Sequence, residues 1–237
     1  MNKLLLLGVE AIAQGAIDAG ISGAYAYPGT PSTEIMEYVQ ASKQAKELGI
    51  HREWSANEKT AMESALGMSY AGKRALVSFK HVGLNVAADA FINATITGVN
   101  GGLVVLSADD PSMHSSQNEQ DSRFYAKFAM IPVLEPSNQQ EAYDMIYNAF
   151  ELSERLNVPV MIRITTRLAH SRAGVETKPT KTQNQMKLPS NPRQFVLLPG
   201  IARVNYKKLL NIQPLMNSIA EESGYNKLIK GKSTKLG

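Results

Sequence analysis

Trp54-Ser-Ala-Asn-Glu58-Lys-Thr-Ala-Met-Glu-Ser-Ala-Leu-Gly-Met-Ser-Tyr-Ala-Gly72 lies between a short run at 50–54 and a second one, Ala75-Leu-Val-Ser-Phe79. The stretch itself has the marks of a helix. Ser55 followed three positions later by Glu58 has the form of a capping box, which satisfies free amides at a helix start. Gly72 is placed to end it, because the residue after a helix takes up a left-handed backbone that glycine adopts without steric cost. Ala61, Ala65 and Ser69 recur at every fourth position and share one stripe, so another backbone can approach that face closely. Glu58 therefore stands at the first turn of a helix built largely from small residues. It serves there either as a cap or as a carboxylate offered to a ligand.

The same alternation continues on both sides. Residues 9–19 carry small and apolar residues at helical spacing and end at Gly20. Residues 23–27 read as a strand; Thr30 then caps a helix that starts with Pro31 and runs to about Leu48. Strands are expected near 50–54, 75–79, 102–107, 133–134 and 158–165, with helices over 83–97 and 138–156. Short apolar strands separated by helices indicate an α/β fold, a mostly parallel sheet with helices on both faces. In such sheets ligands meet the carboxyl ends of the strands. That edge collects Thr30, Lys80-His81, Asp109-Asp110 and Thr165-Thr166.

From 174 to 195 the composition shifts to Pro, Lys, Thr, Gln and Asn, which marks a linker. A further strand is expected at 195–198, a helix over 205–222 and a loose polar end from Leu228 to Gly237. The expected organisation is thus a domain over 1–175 and a basic linker with a terminal helix over 176–237. Of the 237 residues, 43% are apolar and 19% charged, as in ordinary globular proteins. The net charge of +4 hides a split: residues 178–237 carry eleven Lys and Arg against two acids, so residues 1–177 are net acidic. These lysines are dispersed and lack interleaved aromatics, which argues against nucleic acid and for a solvated connector. No apolar run reaches the length of a membrane span. Met1-Asn-Lys-Leu-Leu-Leu-Leu-Gly8 is too short an apolar start for a secretory signal, and Glu10 comes soon after it, so a cytoplasmic location is expected. The chain contains no cysteine, which excludes disulfides and cysteine-ligated clusters within it. Its four histidines show no zinc-ligand spacing.

Three polar constellations lie just past the strands. In Tyr27-Pro-Gly-Thr-Pro-Ser-Thr-Glu34, helix amides with the Thr30 and Ser32 hydroxyls can hold a carboxylate or phosphate. The same residues also make an ordinary helix start, with threonine as cap and proline next. In Lys80-His81-Val-Gly-Leu-Asn85, His81 can exchange a proton near neutral pH and Asn85 can orient an oxyanion; a hydrogen-bonded loop histidine is the simpler alternative. Asp109-Asp110-Pro-Ser-Met-His114-Ser-Ser-Gln-Asn-Glu-Gln-Asp121 reads as a substrate-facing or partner-facing loop. A metal site there is disfavoured, because adjacent carboxylates point different ways.

These stretches resemble the N-terminal domain of the indolepyruvate ferredoxin oxidoreductase alpha subunit, a family of thiamine diphosphate-dependent 2-oxoacid oxidoreductases. The similarity runs from Leu6 through Arg172. It is most specific at Ala26-Tyr-Pro-Gly-Thr-Pro-Ser-Thr-Glu34, Asn57-Glu-Lys59, Lys80-His-Val-Gly-Leu-Asn85 and the stretch from Ala108 to Asp121. The resemblance implies a pyrimidine-binding domain, with Glu58 the acid facing the aminopyrimidine and Pro28, Gly29 and Asn85 beside the cofactor. It places Thr30 at the substrate carboxylate, with Ser32, Asp109 and Asp110 nearby, and His81 as a further catalytic group. The related pyruvate enzymes put an arginine in the loop that here carries Asp109 and Asp110. The reaction implied is oxidative decarboxylation of an aryl pyruvate to an acyl-coenzyme A, with ferredoxin as acceptor and a beta subunit as partner. Neither the Gly-Asp-Gly motif of the family's magnesium and diphosphate domain nor its cysteine-rich segment occurs here. Magnesium and iron–sulfur clusters are therefore expected only in parts outside this chain, and the chain alone is expected to be inactive. An uncovered face at Ala61, Ala65 and Ser69 predicts self-association. Two rival readings are a stand-alone interaction module whose basic tail docks an acidic partner, and a phosphate-binding enzyme working through Asp109, Asp110 and His114.

Overall fold

A computed structural model describes residues 3–231. In chain order the first half holds β1 (Lys3–Leu7), α1 (Gly8–Asp18), β2 (Gly23–Ala26), α2 (Thr33–Ala41), α3 (Lys43–Glu47), β3 (His51–Trp54), α4 (Glu58–Tyr70) and β4 (Ala75–Lys80). The second half continues with α5 (His81–Thr97), β5 (Leu103–Asp109), α6 (Arg123–Ala129), β6 (Val133–Leu134), α7 (Gln139–Leu156) and β7 (Val160–Thr165). The remaining elements are α8 (Thr166–His170), β8 (Arg172–Glu176), α9 (Pro199–Asn211) and α10 (Gln213–Glu222). Six strands form one parallel sheet in the order β3-β2-β4-β5-β7-β6, as the alternation predicts. Neighbouring residues of a strand face opposite sides of the sheet. Ala24, Leu76, Val104 and Ile162 join α1, α2 and α7 in one core, while Tyr25, Val77, Val105 and Met161 join α4, α5 and α6 in the other. No described helix is long and apolar enough to cross a membrane.

Several boundaries differ from expectation, each for a local reason. The helix predicted from Pro31 to Leu48 starts at Thr33 and divides at Ser42, whose extended backbone ends α2 while its hydroxyl accepts from the Ala45 amide at 3.2 Å to start α3. The cap of α4 is Asn57 rather than Ser55: its side chain accepts from the Thr60 amide at 2.9 Å, and Thr60 Oγ1 accepts in turn from the Asn57 amide. Glu58 is left out of the capping pair and remains free for other use. The stretch at the start of the chain is β1, paired antiparallel with β8, so the structured body runs past the predicted linker boundary at 174. The linker itself lies as a strap along the amino ends of the strands. The Lys181 amide donates to the Asp18 carbonyl at 2.7 Å, Asn184 Nδ2 to Glu154 at 2.7 Å and the Lys187 amide to the Ala71 carbonyl at 2.8 Å. The expected strand at 195–198 is absent among the described residues; Pro192–Phe195 is a single 3₁₀ turn, with the Phe195 ring tilted by 30° against that of Tyr70. The terminal helix starts earlier, at Pro199, and breaks before Pro214, whose missing amide cannot continue it. Residues 232–237 of the predicted loose end lie outside the described residues.

The face expected to drive self-association is already covered. Ala61, Ala65 and Ser69 are fully buried against α5 and the sheet, and Ser69 Oγ donates to the Gly101 carbonyl at 2.5 Å. The stripe lets α4 and α5 of the same chain approach closely, so it gives no ground for a second copy.

Candidate functional site

The sheet register sets the site. Ala26 lies level with Trp54 and Ser78, Lys80 with Ala108 and Asp109 with Thr165, so the chain leaves β2, β3, β4, β5 and β7 on the same edge. That edge divides into an open part at β3, β2 and β4 and a closed part at β5 and β7.

In the open part, Glu58 is the first residue of α4 and is half-buried. Its carboxylate rests on the first turn of α5: a Cβ placed on Gly83 would lie 2.6 Å from Glu58 Oε1. Beside it, Tyr27, Pro28 and Thr30 are exposed on the turn after β2. Gly29 lies against Lys80, where a Cβ would be 3.1 Å from the lysine Cβ, which joins the ends of β2 and β4. Ser32 differs from expectation. Its side chain is buried and its hydroxyl donates to the Gly29 carbonyl at 2.7 Å, so it braces the turn and offers nothing to a ligand. The Gly29 amide donates to Thr33 Oγ1 at 2.8 Å, which leaves Thr30 as the exposed hydroxyl of the turn.

His81 opens α5 and is fully buried under the loop after β5. Its Nε2 lies 3.2 Å from the Asn118 carbonyl and 3.0 Å from Asn118 Oδ1. A carbonyl only accepts, so Nε2 carries the proton, and the buried Nδ1 is left without a partner. The ring therefore pins the loop and does not face solvent, a correction to its reading as a proton carrier at the open edge. Asn85 is exposed one turn further along α5, with Nδ2 donating to Gln120 at 2.9 Å and Oδ1 accepting from the Tyr125 hydroxyl at 2.6 Å.

In the closed part, Asp109 and Asp110 are buried, not substrate-facing as expected. Asp109 Oδ2 accepts from Arg163 Nε at 2.8 Å and from the Ser122 amide at 3.0 Å, and Oδ1 accepts from Ser122 Oγ at 2.5 Å. Arg163 also pairs with Glu135. Burial lowers the guanidinium's proton affinity, but Asp109 and Glu135 together raise it above the ordinary value. Asp110 turns the other way. Its Oδ2 accepts from the Ser115 amide and Ser116 Oγ, both at 2.7 Å, and its Oδ1 from Thr166 Oγ1 at 2.8 Å. Burial pushes this carboxyl up, but the hydrogen bonds outweigh it and hold the pKa at about 2. The two aspartates close the loop 111–121 over β4 and β5, with Lys80 Nζ donating to the Ser115 carbonyl. His114 is exposed on this loop, and its backbone amide is among the donors that hold the Asp110 carboxyl down. No group of three His, Asp or Glu that could hold a metal occurs among the described residues.

Gly83, Asn118, Ser122 and Arg163 carry no expectation from the sequence. Even Gly83 stood at the expected start of its helix, where a glycine is commonplace, and only the structure places it inside α5. The others are fixed by contacts across elements that no local pattern records.

Residues 14–214 match the family described as pyruvate flavodoxin/ferredoxin oxidoreductase, thiamine diphosphate-binding. The chain is 46% identical over 233 residues to indolepyruvate oxidoreductase subunit IorA of Methanothermobacter marburgensis, covering 98% of this chain and 37% of that protein. It is also 46% identical to the subunit of the same name from Pyrococcus abyssi, over all of this chain and 37% of the relative. The chain thus spans little more than a third of these relatives. A solved 2-oxoglutarate:ferredoxin oxidoreductase from Magnetococcus marinus has the same fold, with a TM-score of 0.75 at 20% identity over 98% of this chain and 48% of that one. With the parallel sheet, the open edge at Glu58 and the matched residues together, the chain belongs to the thiamine diphosphate-binding family of pyruvate flavodoxin/ferredoxin oxidoreductases.

Proposed function

We propose that this chain supplies the aminopyrimidine side of a thiamine diphosphate site in an oxidoreductase acting on aryl pyruvates such as indolepyruvate. The products are an acyl-coenzyme A and carbon dioxide, and ferredoxin takes the electrons. The observation that carries this reading is Glu58. It is an acid left out of its own helix cap, half-exposed at the strand ends, with its carboxylate laid along a glycine of the neighbouring helix. Such a group fits a flat heterocycle whose ring nitrogen needs a carboxylic partner.

Thiamine diphosphate, when bound, supplies the nucleophilic carbon and the electron sink for decarboxylation. The chain's residues bind and orient. Glu58 holds or exchanges a proton at the ring nitrogen. Pro28 and Gly29 offer a turn low in side-chain bulk beside it, and the exposed Thr30 hydroxyl receives the 2-oxoacid carboxylate. Asn85, oriented by Gln120 and Tyr125, borders the same opening. His81, Asp109 and Asp110 hold the wall formed by loop 111–121 and do not meet substrate. Diphosphate, magnesium and iron–sulfur ligands come from other parts of the protein and from a beta subunit. This chain alone does not turn over, and we place the reaction in the cytoplasm.

The test is indolepyruvate-dependent ferredoxin reduction by the full-length enzyme with its second subunit. Activity is expected to require added thiamine diphosphate and to fall by at least about 100-fold in Glu58→Gln, the scale of a lost acid–base group. Parent-level activity in that variant would sink the reading.

A further inference from the structure

We infer that Gly83 is a positioning residue for the Glu58 carboxylate, an inference that rests on the thiamine diphosphate reading above. Helices α4 and α5 pack side by side with their first turns together at the strand ends. Glu58 is the first residue of α4 and Gly83 the third of α5. A Cβ on Gly83 would stand 2.6 Å from Glu58 Oε1, 2.8 Å from its Cγ and 3.1 Å from its Cδ. No side chain can occupy that space while the carboxylate stays where it is. The glycine is not required by its own backbone, since its φ is not in the left-handed region. Within a helix it is a poor choice on propensity alone. Its use is the space it leaves.

Gly67 supplies the contrast. It lies inside α4 on the exposed face, and a Cβ there would meet nothing within 4 Å. Alanine at Gly67 should improve the helix and leave the site alone. Alanine at Gly83 should also suit the helix, but the added methyl must displace its neighbour. That neighbour is the end of a flexible glutamate, so the cost falls on the carboxylate's position and not on the fold. A purely structural glycine would show the reverse.

The experiment uses the full-length enzyme with its second subunit, loaded with thiamine diphosphate and magnesium. Exchange of the thiazolium C2 proton for deuterium is read by acid quench and NMR, alongside cofactor affinity and melting temperature. In Gly83→Ala, exchange is expected to slow by at least about tenfold, toward the rate of Glu58→Gln, as fits a displaced acid–base group. Its melting temperature should stay at or above that of the parent. Gly67→Ala should exchange at the parent rate. Parent-rate exchange in Gly83→Ala, with Glu58→Gln slow, would overturn the role of Gly83 alone. Parent-rate exchange in Glu58→Gln would overturn the thiamine reading, and this inference with it. If Gly83→Ala melts early, combining it with Glu58→Ala should restore the melting temperature. A loss that the second change does not relieve places the obstacle elsewhere and also overturns the inference.

Discussion

The carboxyl edge of the sheet carries acids in two neighbouring places, and they are in opposite states. Glu58, after β3, has no ion-pair partner among the described residues and reaches the surface. Asp109 and Asp110, after β5, are buried, and each accepts three or more hydrogen bonds. The difference lies in the connection that leaves each strand. After β3 a helix begins within a few residues and its cap uses Asn57, so nothing folds over the acid. After β5 comes a long polar loop rich in hydroxyls and amides, which needs anchors and takes both aspartates. An acid at a strand end is thus available for chemistry only where the next connection is short and caps itself.

This contrast can be broken at its closed end first. Asp109→Ala removes the partner of a buried guanidinium as well as the acceptor for Ser122. A loss of about 3–5 kcal/mol is expected in denaturant unfolding of the purified protein, the scale of breaking a buried pair from one side. A loss under about 1 kcal/mol, the level of an exposed pair, would show the closed region to be no more than a solvated loop.

Acid sharpens the comparison further. The Asp110 pKa is held at about 2 against an ordinary 3.8, so its contribution is complete above about pH 4. It is lost as the pH falls through 2, when the carboxyl takes up a proton in the folded state. Hydrogen exchange of loop 111–121 should rise over that window, and Asp110→Asn should flatten the response. A loop whose protection is independent of pH between 4 and 2 would contradict the anchoring role.

The smallest effect belongs to the helix that carries the free acid, near its far end. Gly67→Ala on the exposed face of α4 should raise stability by about 1 kcal/mol, the difference in helix propensity between the two residues, with no compensating clash. A destabilised variant would mean that this face is already packed in the purified protein.

The sheet, its strand edges and the alternation with helices were legible because period and length are local properties: Ala75–Phe79 cannot be much else. The position of Glu58 at a first helical turn was equally legible, although the capping pair proved to be Asn57 with Thr60. Choosing between Ser55 and Asn57 depends on where the strand ends, and β3 stops at Trp54. The breaks at Ser42 and before Pro214 had local signals too, a capping residue and a missing amide, each sitting inside an otherwise helical pattern.

What the chain's order of residues determined by itself was the parallel α/β framework and which loops share one edge, because hydrophobic periodicity dictates which faces must be buried. Only the tertiary structure decided which of the acids on that edge stay free. Asp109 is neutralised by Arg163, fifty-four positions away, Asp110 is held by Thr166 across the strand ends, and Glu58 is given its place by the bare backbone of Gly83. Burial of a charge depends on partners brought by the fold, and no spacing along the chain encodes them.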